Sequence, residues 1–468
     1  MSNLGELAAA LNCSLVGSAA AEPTGVAISS SYIEKGFIFV ASEGKKHHGL
    51  DFLDQAIAAG AVAVLTDRPG SYPIPLLLHE RPREIAGALA ALVFQTPATG
   101  LFAVTGTNGK TSVAHYLQRL LTAMGQPAGL ISSAGQVVGD GQLVSELTTP
   151  EAPRIHQLLS QMRQAGQSKT VVEVSAQALV RNRVDGLNFQ ISGFTNLSRD
   201  HLDDFSTMEN YLAAKANLFT SSFTEKAVVN VEDQWGEKLF SEIQIPKVGI
   251  GPNLDYQVSF VDNVLKISGK QELSAPFQLG PLMAKNLGLA VVMLMEYGYF
   301  ADELVPAIEK IDQQIPGRLE LVSSALPHVY VDYAHTPAGV AAAVGELKSR
   351  YPELTVVLGA SGNRDQGKRE EMGLACAGAK RIFITDQHPR DEEPAQIRNQ
   401  LLAAATTLEA EVFEEADPAQ AIRRAVAATD KSGAVLWCGP GQLRYREIRG
   451  EKVPFNAIDL ARLAVQGD

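Results

Sequence analysis

Short apolar runs alternate with amphipathic stretches over most of the chain, the pattern of strands and helices in α/β layers with parallel strands. GFIFVA (36–41) and AVAVLTD (61–67) predict buried strands around a helical stretch, LDFLDQAIAAGA. Pro97 and Gly100 punctuate the chain after HERPREIAGALAALVFQT, and LFAVTG (101–106) predicts a strand ending in a glycine turn. Val113, Leu117, Leu120, Leu121 and Met124 then recur at helical spacing up to Gly125. TVVEVS (170–175), FQISGFTN (189–196) and KAVVNV (226–231) predict further strands, and strand character from 247 to 280 predicts an antiparallel flap. Past Ile315-Pro316-Gly317 the alternation restarts. HVYVDYAH (328–335), LTVVLGA (354–360), RIFITD (381–386), AEVFEE (410–415) and AVLWCGP (434–440) predict five strands. Helices starting at Pro337, Lys368, Pro394 and Pro418 separate them, which makes a Rossmann-like unit.

The expected architecture is α/β in three domains: a small N-terminal substrate-binding domain (1–97), a central P-loop ATPase-like domain with a parallel sheet (98–315), and a C-terminal Rossmann-like, amino-acid-binding domain (316–468). At about 150 residues per domain, a length of 468 agrees. The 40 Lys and Arg against 52 Asp and Glu leave a formal charge of -12, which excludes the basic footprint of a nucleic-acid binder. Cys13, Cys376 and Cys438 lie far apart with no CxxC pair, so neither a disulfide framework nor a structural zinc site is expected. The N-terminal segment lacks a basic head and apolar run, and no apolar run reaches ~18 residues, so a cytoplasmic protein without a membrane partner is expected.

The strongest motif is Thr105-Gly106-Thr107-Asn108-Gly109-Lys110-Thr111-Ser112, between a strand and a helix. Glycines let backbone N–H groups curl around a phosphate, and a helix N-terminus adds partial positive charge. Lys110 can reach the β- and γ-phosphates, and the hydroxyl of Thr111 or Ser112 can ligate Mg²⁺. Val104 stands where the general GxxxxGK[ST] pattern wants glycine, so the loop is a variant.

TGTNGKTS resembles the variant phosphate loop of the muramyl-peptide (Mur) ligases, ATP-dependent enzymes that build peptidoglycan stem peptides. TTPE (148–151), EVSAQALVRNRV (173–184), TNLSRDHLD (195–203), YLAAK (211–215), PGRLE (316–320), VDYAHTP (331–337), GNRDQGKR (362–369) and TDQHPRDEEP (385–394) resemble further motifs of that family, in order. The likeness is closest to the branch that adds the third residue to UDP-N-acetylmuramoyl-L-Ala-D-Glu. It implies a ligase that phosphorylates a carboxylate with ATP and lets an amine attack the acyl phosphate, with two Mg²⁺ ions as cofactors. Glu173 and His201 are similar to the family's Mg²⁺ ligands, with Thr111 beside them. Lys215 matches a lysine that is carbamylated in the family and helps hold the second metal; without the surrounding motif a solvent-facing helix lysine is an equal alternative. Asn286, Arg318, Asp332 and His335 resemble nucleotide-side residues, and Thr148, Thr149, Ser175 and Arg183 the acceptor wall.

Departures from the family's pattern cluster on the substrates. Ser30-Ser31 lacks the arginine of the family's Ser-Arg pair at the UDP end, and the nearby Asp-Gly is His48-Gly49. Lys45, Lys46, His47 and His48 could replace that charge, although such a run is more often a solvated loop. After Ser175, Ala176-Gln177 replaces Ser-His. Gln387-His388-Pro389-Arg390 replaces Asp-Asn-Pro-Arg, leaving Arg390 as a clamp for an α-carboxylate. Gly439-Pro440-Gly441-Gln442-Leu443 replaces Gly-Lys-Gly-His-Glu, and Arg444 follows. Leucine cannot balance a distal ammonium, and an adjacent arginine would repel one. The expected partners are therefore a small-molecule or nucleotide-linked carboxylate, leaning toward a non-standard one, and an amino acid with a neutral or acidic side chain. A stem-peptide synthetase with divergent specificity loops and a non-catalytic nucleotide-binding partner are the alternatives.

Overall fold

In the computed structural model the described residues are 2–44, 47–96, 100–145 and 147–467. Pro97, at the first expected boundary, and Lys45 and Lys46 lie outside them. Three sheets carry the fold. In the first, strands Gly25–Ala27, Phe37–Ala41, Ala63–Thr66 and Leu76–Leu78 run parallel in that spatial order, with Ser14–Val16 antiparallel on the edge.

The central sheet has Leu101–Thr105 in its middle, between Lys169–Glu173 and Phe189–Phe194, all parallel. Every residue of Leu101–Thr105 is buried, as expected of a strand covered on both faces by helices. Parallel order extends through Ala128–Ser132 on one side and Thr224–Asn230 and Lys247–Ile250 on the other. The segment expected as a flap is instead the continuation of this sheet. Tyr256–Val261, Val264–Gly269 and Leu273–Pro276 form an antiparallel meander joined to its edge. Val258, Leu265, Ile267 and Leu273 cover the apolar helix Pro281–Tyr297, which explains why these strands stay attached.

The third sheet is ordered Glu320–Ser323, His328–Asp332, Ala434–Cys438, Leu354–Leu358, Arg381–Ile384, Glu411–Glu414. The five predicted strands are parallel, and Glu320–Ser323 adds an unpredicted antiparallel edge. A hairpin, Tyr445–Ile448 with Glu451–Pro454, and a last helix, Ala457–Gln466, were also not anticipated. Among the described residues no helix is long and apolar enough to cross a membrane.

Candidate active site

A cavity of about 720 Å³ opens between the carboxyl ends of the central and third sheets, the place where open α/β sheets present their loops. On the central side, the glycine loop leaves Leu101–Thr105, Glu173 ends its strand, and residues 196–201 follow Phe189–Phe194. On the third side, Asp332 ends a strand, and Ser361, Gln387–Arg390 and Gly439 follow three others.

Gly109 has φ +85°, a backbone that glycine adopts without strain, and a Cβ there would overlap the Asn286 side chain. Helix Lys110–Ala123 then starts with no side-chain cap, so its first N–H groups are free to meet an anion. The loop is pinned from behind. Thr107 N donates to Asn196 O (2.8 Å), Asn108 N to Asn196 Oδ1 (3.1 Å), and Thr195 Oγ1 to Asn108 O (2.7 Å). Lys110 Nζ donates to Thr107 O (2.9 Å); burial lowers its pKa, opposed by the charges of Glu173 and Asp200.

Thr111 and Ser112 line the cavity, and Thr111 sits at a junction. Its hydroxyl donates to Glu173 Oε2 (3.1 Å) and accepts from Arg318 Nη2 (3.0 Å). Ser133, not singled out from sequence, gives the same carboxylate its N–H (2.9 Å) and its hydroxyl (3.2 Å). Arg318 thus reaches the phosphate loop from the third domain, while its Nη1 donates to Gln442 Oε1 (2.8 Å) and its plane stacks on Tyr333. Asp332 also faces the cavity, but its two oxygens accept Leu319 N and Ala334 N, both at 2.6 Å, and burial raises its pKa.

His201 holds a left-handed backbone, φ +55°, and burial pushes its pKa down to about 4. Its Nδ1 is buried with no partner among the described residues. Asp200 and Lys368, which stood unremarked inside two of the motifs, meet here: Lys368 Nζ donates to Asp200 Oδ1 (2.8 Å), and His335 Nε2 lies 3.6 Å from Oδ2.

For a divalent cation, the residues offer the Glu173 carboxylate, hydroxyls of Thr111 and Ser133, and the orphaned nitrogen of His201. Among the described residues no three His, Cys, Asp or Glu gather as a cage. The set fits a hard ion held sparsely and completed by water and phosphate oxygens. Lys215 is not on the cavity wall. It is 1% exposed, its Nζ donates to Gly106 O (2.7 Å) above the Tyr211 ring, and burial lowers its pKa well below the usual amine range, with Lys110 adding to the effect.

Thr105, Gly106 and Thr149 lie behind the wall, where Thr149 Oγ1 donates to Glu173 O (2.8 Å). Thr148, Ser175 and Arg183 line it. Ser175 Oγ caps helix Ala176–Val180, and Arg183 is ion-paired with Glu151 at 3.1 Å. On the amino-acid side, Gln387, His388, Arg390, Gly439 and Leu443 line the cavity. Burial brings the His388 pKa down to about 4. Arg390 is already engaged by Glu447, Nε to Oε2 at 2.9 Å, a residue on the hairpin that sequence reasoning missed. The sequence signal for that hairpin was the Arg449-Gly450 pair, which takes positive φ at both residues as a two-residue hairpin turn requires. Arg444 is exposed and off the wall, because its backbone carbonyl is tied to Phe455 N (3.0 Å) and the chain turns away. The expected repulsion by Arg444 is therefore withdrawn.

Among the described residues, none of the first domain lines this cavity. His48 is not available as replacement charge for a diphosphate: it is 4% exposed, bonded to Asp67 Oδ1 (2.9 Å) and to Leu50 N (3.1 Å). Ser30 Oγ donates to Gln55 Oε1 (2.9 Å).

Three family models match this chain: "Mur ligase family, catalytic domain" at 22–91, "Mur ligase middle domain" at 104–266, and "Mur ligase, glutamate ligase domain" at 317–441. The UDP-N-acetylmuramyl-tripeptide synthetase of Leifsonia xyli subsp. xyli is 40% identical over 95% of this chain and 92% of that protein. The chain belongs to the Mur ligase family. The UDP-N-acetylmuramoyl-L-alanyl-D-glutamate--2,6-diaminopimelate ligase of Aquifex aeolicus is 33% identical over 95% of this chain and 94% of its own. A solved structure of a ligase of that name aligns with TM-score 0.64 and 25% identity, covering 95% of each chain. MurF of Acinetobacter baumannii shares the fold, with TM-score 0.70 and 17% identity over 94% of this chain and 95% of that one. This Mur ligase is an ATP-dependent, ADP-forming enzyme that joins a carboxylate to an amine. The non-catalytic alternative falls with that finding.

Proposed function

We propose that this Mur ligase adds an amino acid with an uncharged or acidic side chain to a UDP-muramoyl dipeptide. The observation that carries the amine half is Leu443 on the cavity wall, where the resemblance places a glutamate. The Gln387 amide and a histidine, His388, that burial keeps neutral near pH 7 line the same cavity. Glu447, a carboxylate on this wall, is committed to Arg390. A distal ammonium would lose its hydration there without a free counter-charge, a cost that selects against it. The names of the relatives support the muramoyl dipeptide as the acid over an unrelated carboxylate.

The chain's own residues then divide the work. The free N–H groups at Lys110–Ser112 and the Lys110 ammonium hold the β- and γ-phosphates and draw off the charge of the departing ADP. Arg318 brings a second cation to the same loop from the third domain, so the site is complete only when the two sheets close on it. Closure also keeps water from the acyl phosphate. Asn286 lies against the loop at Gly109, on the nucleotide side, and His335 and Asp332 face the same space. Thr148, Ser175 and Arg183 receive the acceptor, and Arg390 the α-carboxylate of the incoming amino acid.

Glu173, Thr111 and His201 would hold Mg²⁺, which neutralises phosphate charge when bound. A second ion would need Lys215 as its carbamate. A buried, neutral amine is the form that reacts with CO₂, and the burial of Lys215 favours it. We place the domain limits near residues 97 and 315, and the enzyme in the cytoplasm.

The test is a panel of amino acids with UDP-N-acetylmuramoyl-L-Ala-D-Glu, reading ADP release. Neutral or acidic amino acids should exceed lysine and diaminopimelate in kcat/KM by about tenfold or more. Preference for diaminopimelate overturns the proposed specificity.

A further inference from the structure

One carboxylate links the amino-acid side of the cavity to its phosphate side. Asp200 is 4% exposed and belongs to the central domain. Its Oδ1 accepts from Lys368 Nζ of the third domain (2.8 Å) and from the backbone N–H of His201 (3.0 Å). Its Oδ2 lies 3.4 Å from His201 Nε2 and 3.6 Å from His335 Nε2. Lys368 is 6% exposed and opens helix Lys368–Leu374.

The residue just before Asp200 docks the same helix with opposite sign. Arg199 pairs with Asp365 (3.3 Å) and Glu371 (2.7 Å), on either side of Lys368. A single buried cation crossing a domain boundary is a poor source of stability, because desolvation offsets most of the attraction. It is a good source of geometry. His201 next door needs that geometry, since a left-handed backbone at a non-glycine residue persists only when its surroundings hold it.

We propose that Asp200 is a positioning residue: by holding Lys368 of the third domain and both the backbone and ring of His201, it makes the placement of His201 depend on docking of the third domain. The inference rests on the reading of His201 as a cation-side residue given above. It couples the two half-reactions. The phosphate side is fully ordered only when the domain that carries the amino acid is seated, which limits ATP consumption when no amino acid can follow.

Lys368→Met removes the cation that Asp200 holds, and Asp200→Asn/Lys368→Met removes both charges and so leaves none buried and alone. The expected result for K368M is a kcat lowered by about 10²-fold, the order that small misplacements cost, with KM for ATP within threefold. Affinity for Mn²⁺ in the presence of ADP, read by water-proton relaxation, falls about tenfold. In the double variant the thermal midpoint returns to near wild type while kcat and Mn²⁺ affinity stay low. That variant decides the question alone if K368M fails to fold. Arg199→Met, which loosens docking without touching Asp200, should lower kcat less than K368M.

Recovery of kcat together with the thermal midpoint in the double variant would make the pair a packing feature and overturn the proposal. So would a K368M enzyme with unchanged Mn²⁺ affinity and only a raised KM for the amino acid. If the wild-type protein binds Mn²⁺–ADP and His201→Ala leaves that affinity unchanged, the underlying reading of His201 is what fails.

Discussion

Lys110 illustrates how one side chain is loaded by its surroundings. Burial lowers its pKa, Glu173 and Asp200 oppose that shift without cancelling it, and a triphosphate would add further opposing charge. Lys110→Met should cost about 10²–10³-fold in kcat, the usual effect of removing a charge-stabilising donor, while the thermal midpoint changes little. At the opposite wall, Leu443→Glu should restore a free carboxylate and shift kcat/KM toward lysine by about tenfold, measured against the wild-type preference. Of the residues expected to act, those in the glycine loop, Glu173, His201, Arg318 and Arg390 could be named because each stands in a compact motif. Asp200, Lys368 and Glu447 could not, because their roles arise from partners that the chain brings in from 168, 168 and 57 positions away.

His156 shows a different consequence of burial. It is 0% exposed on helix Ala152–Gln164, its Nε2 donates to Asp185 O (3.2 Å), its Nδ1 accepts from Thr96 Oγ1 (2.7 Å), and its pKa is pushed down to about 4. The unfolded chain binds this proton near pH 6.5 and the folded chain does not. Stability is thus fully present above pH 6.5 and falls as the pH drops toward 4, by up to about 3 kcal/mol from this group. Urea midpoints at pH 7 and pH 5 should converge in His156→Gln relative to wild type.

Among the elements, the parallel strands and the Pro-initiated helices were readable because buried runs and N-terminal prolines are local signals. What was not readable was attachment. The meander 256–276 has the alternation of a solvated flap, and its pairing with Lys247–Ile250 and its packing on the apolar helix Pro281–Tyr297 make it part of the central sheet. The first domain is joined through helix Pro82–Phe94, where Gly87 packs on the Asp185 carbonyl and Arg83 reaches Glu151 (2.5 Å). A Cβ at Gly87 would overlap that backbone carbonyl, which cannot rotate away. Gly87→Ala should therefore cost about 1–3 kcal/mol, read from the denaturant midpoint, with kcat for the ligation falling far less than in K110M.

The molecule as a whole works by bringing two sheet ends together. The central sheet holds the phosphate loop, the third sheet holds Arg318, Lys368 and the amino-acid wall, and neither side has a complete site. This explains why the motifs are scattered over more than three hundred residues yet converge in one cavity. It also explains why the fold class could be inferred from alternation alone, whereas specificity had to wait for which residues reach the wall. Arg444 was expected there and is not, and Glu447 was not expected there and is.

The account requires that the acid become an acyl phosphate before the amine attacks. The acid labelled with ¹⁸O in its carboxylate, incubated with ATP, Mg²⁺ and the preferred amino acid, tests this directly by mass analysis of the released phosphate. One carboxylate oxygen must leave with each phosphate, so each phosphate should carry one carboxylate-derived ¹⁸O. Unlabelled phosphate, formed at the same rate as the amide, would contradict the account.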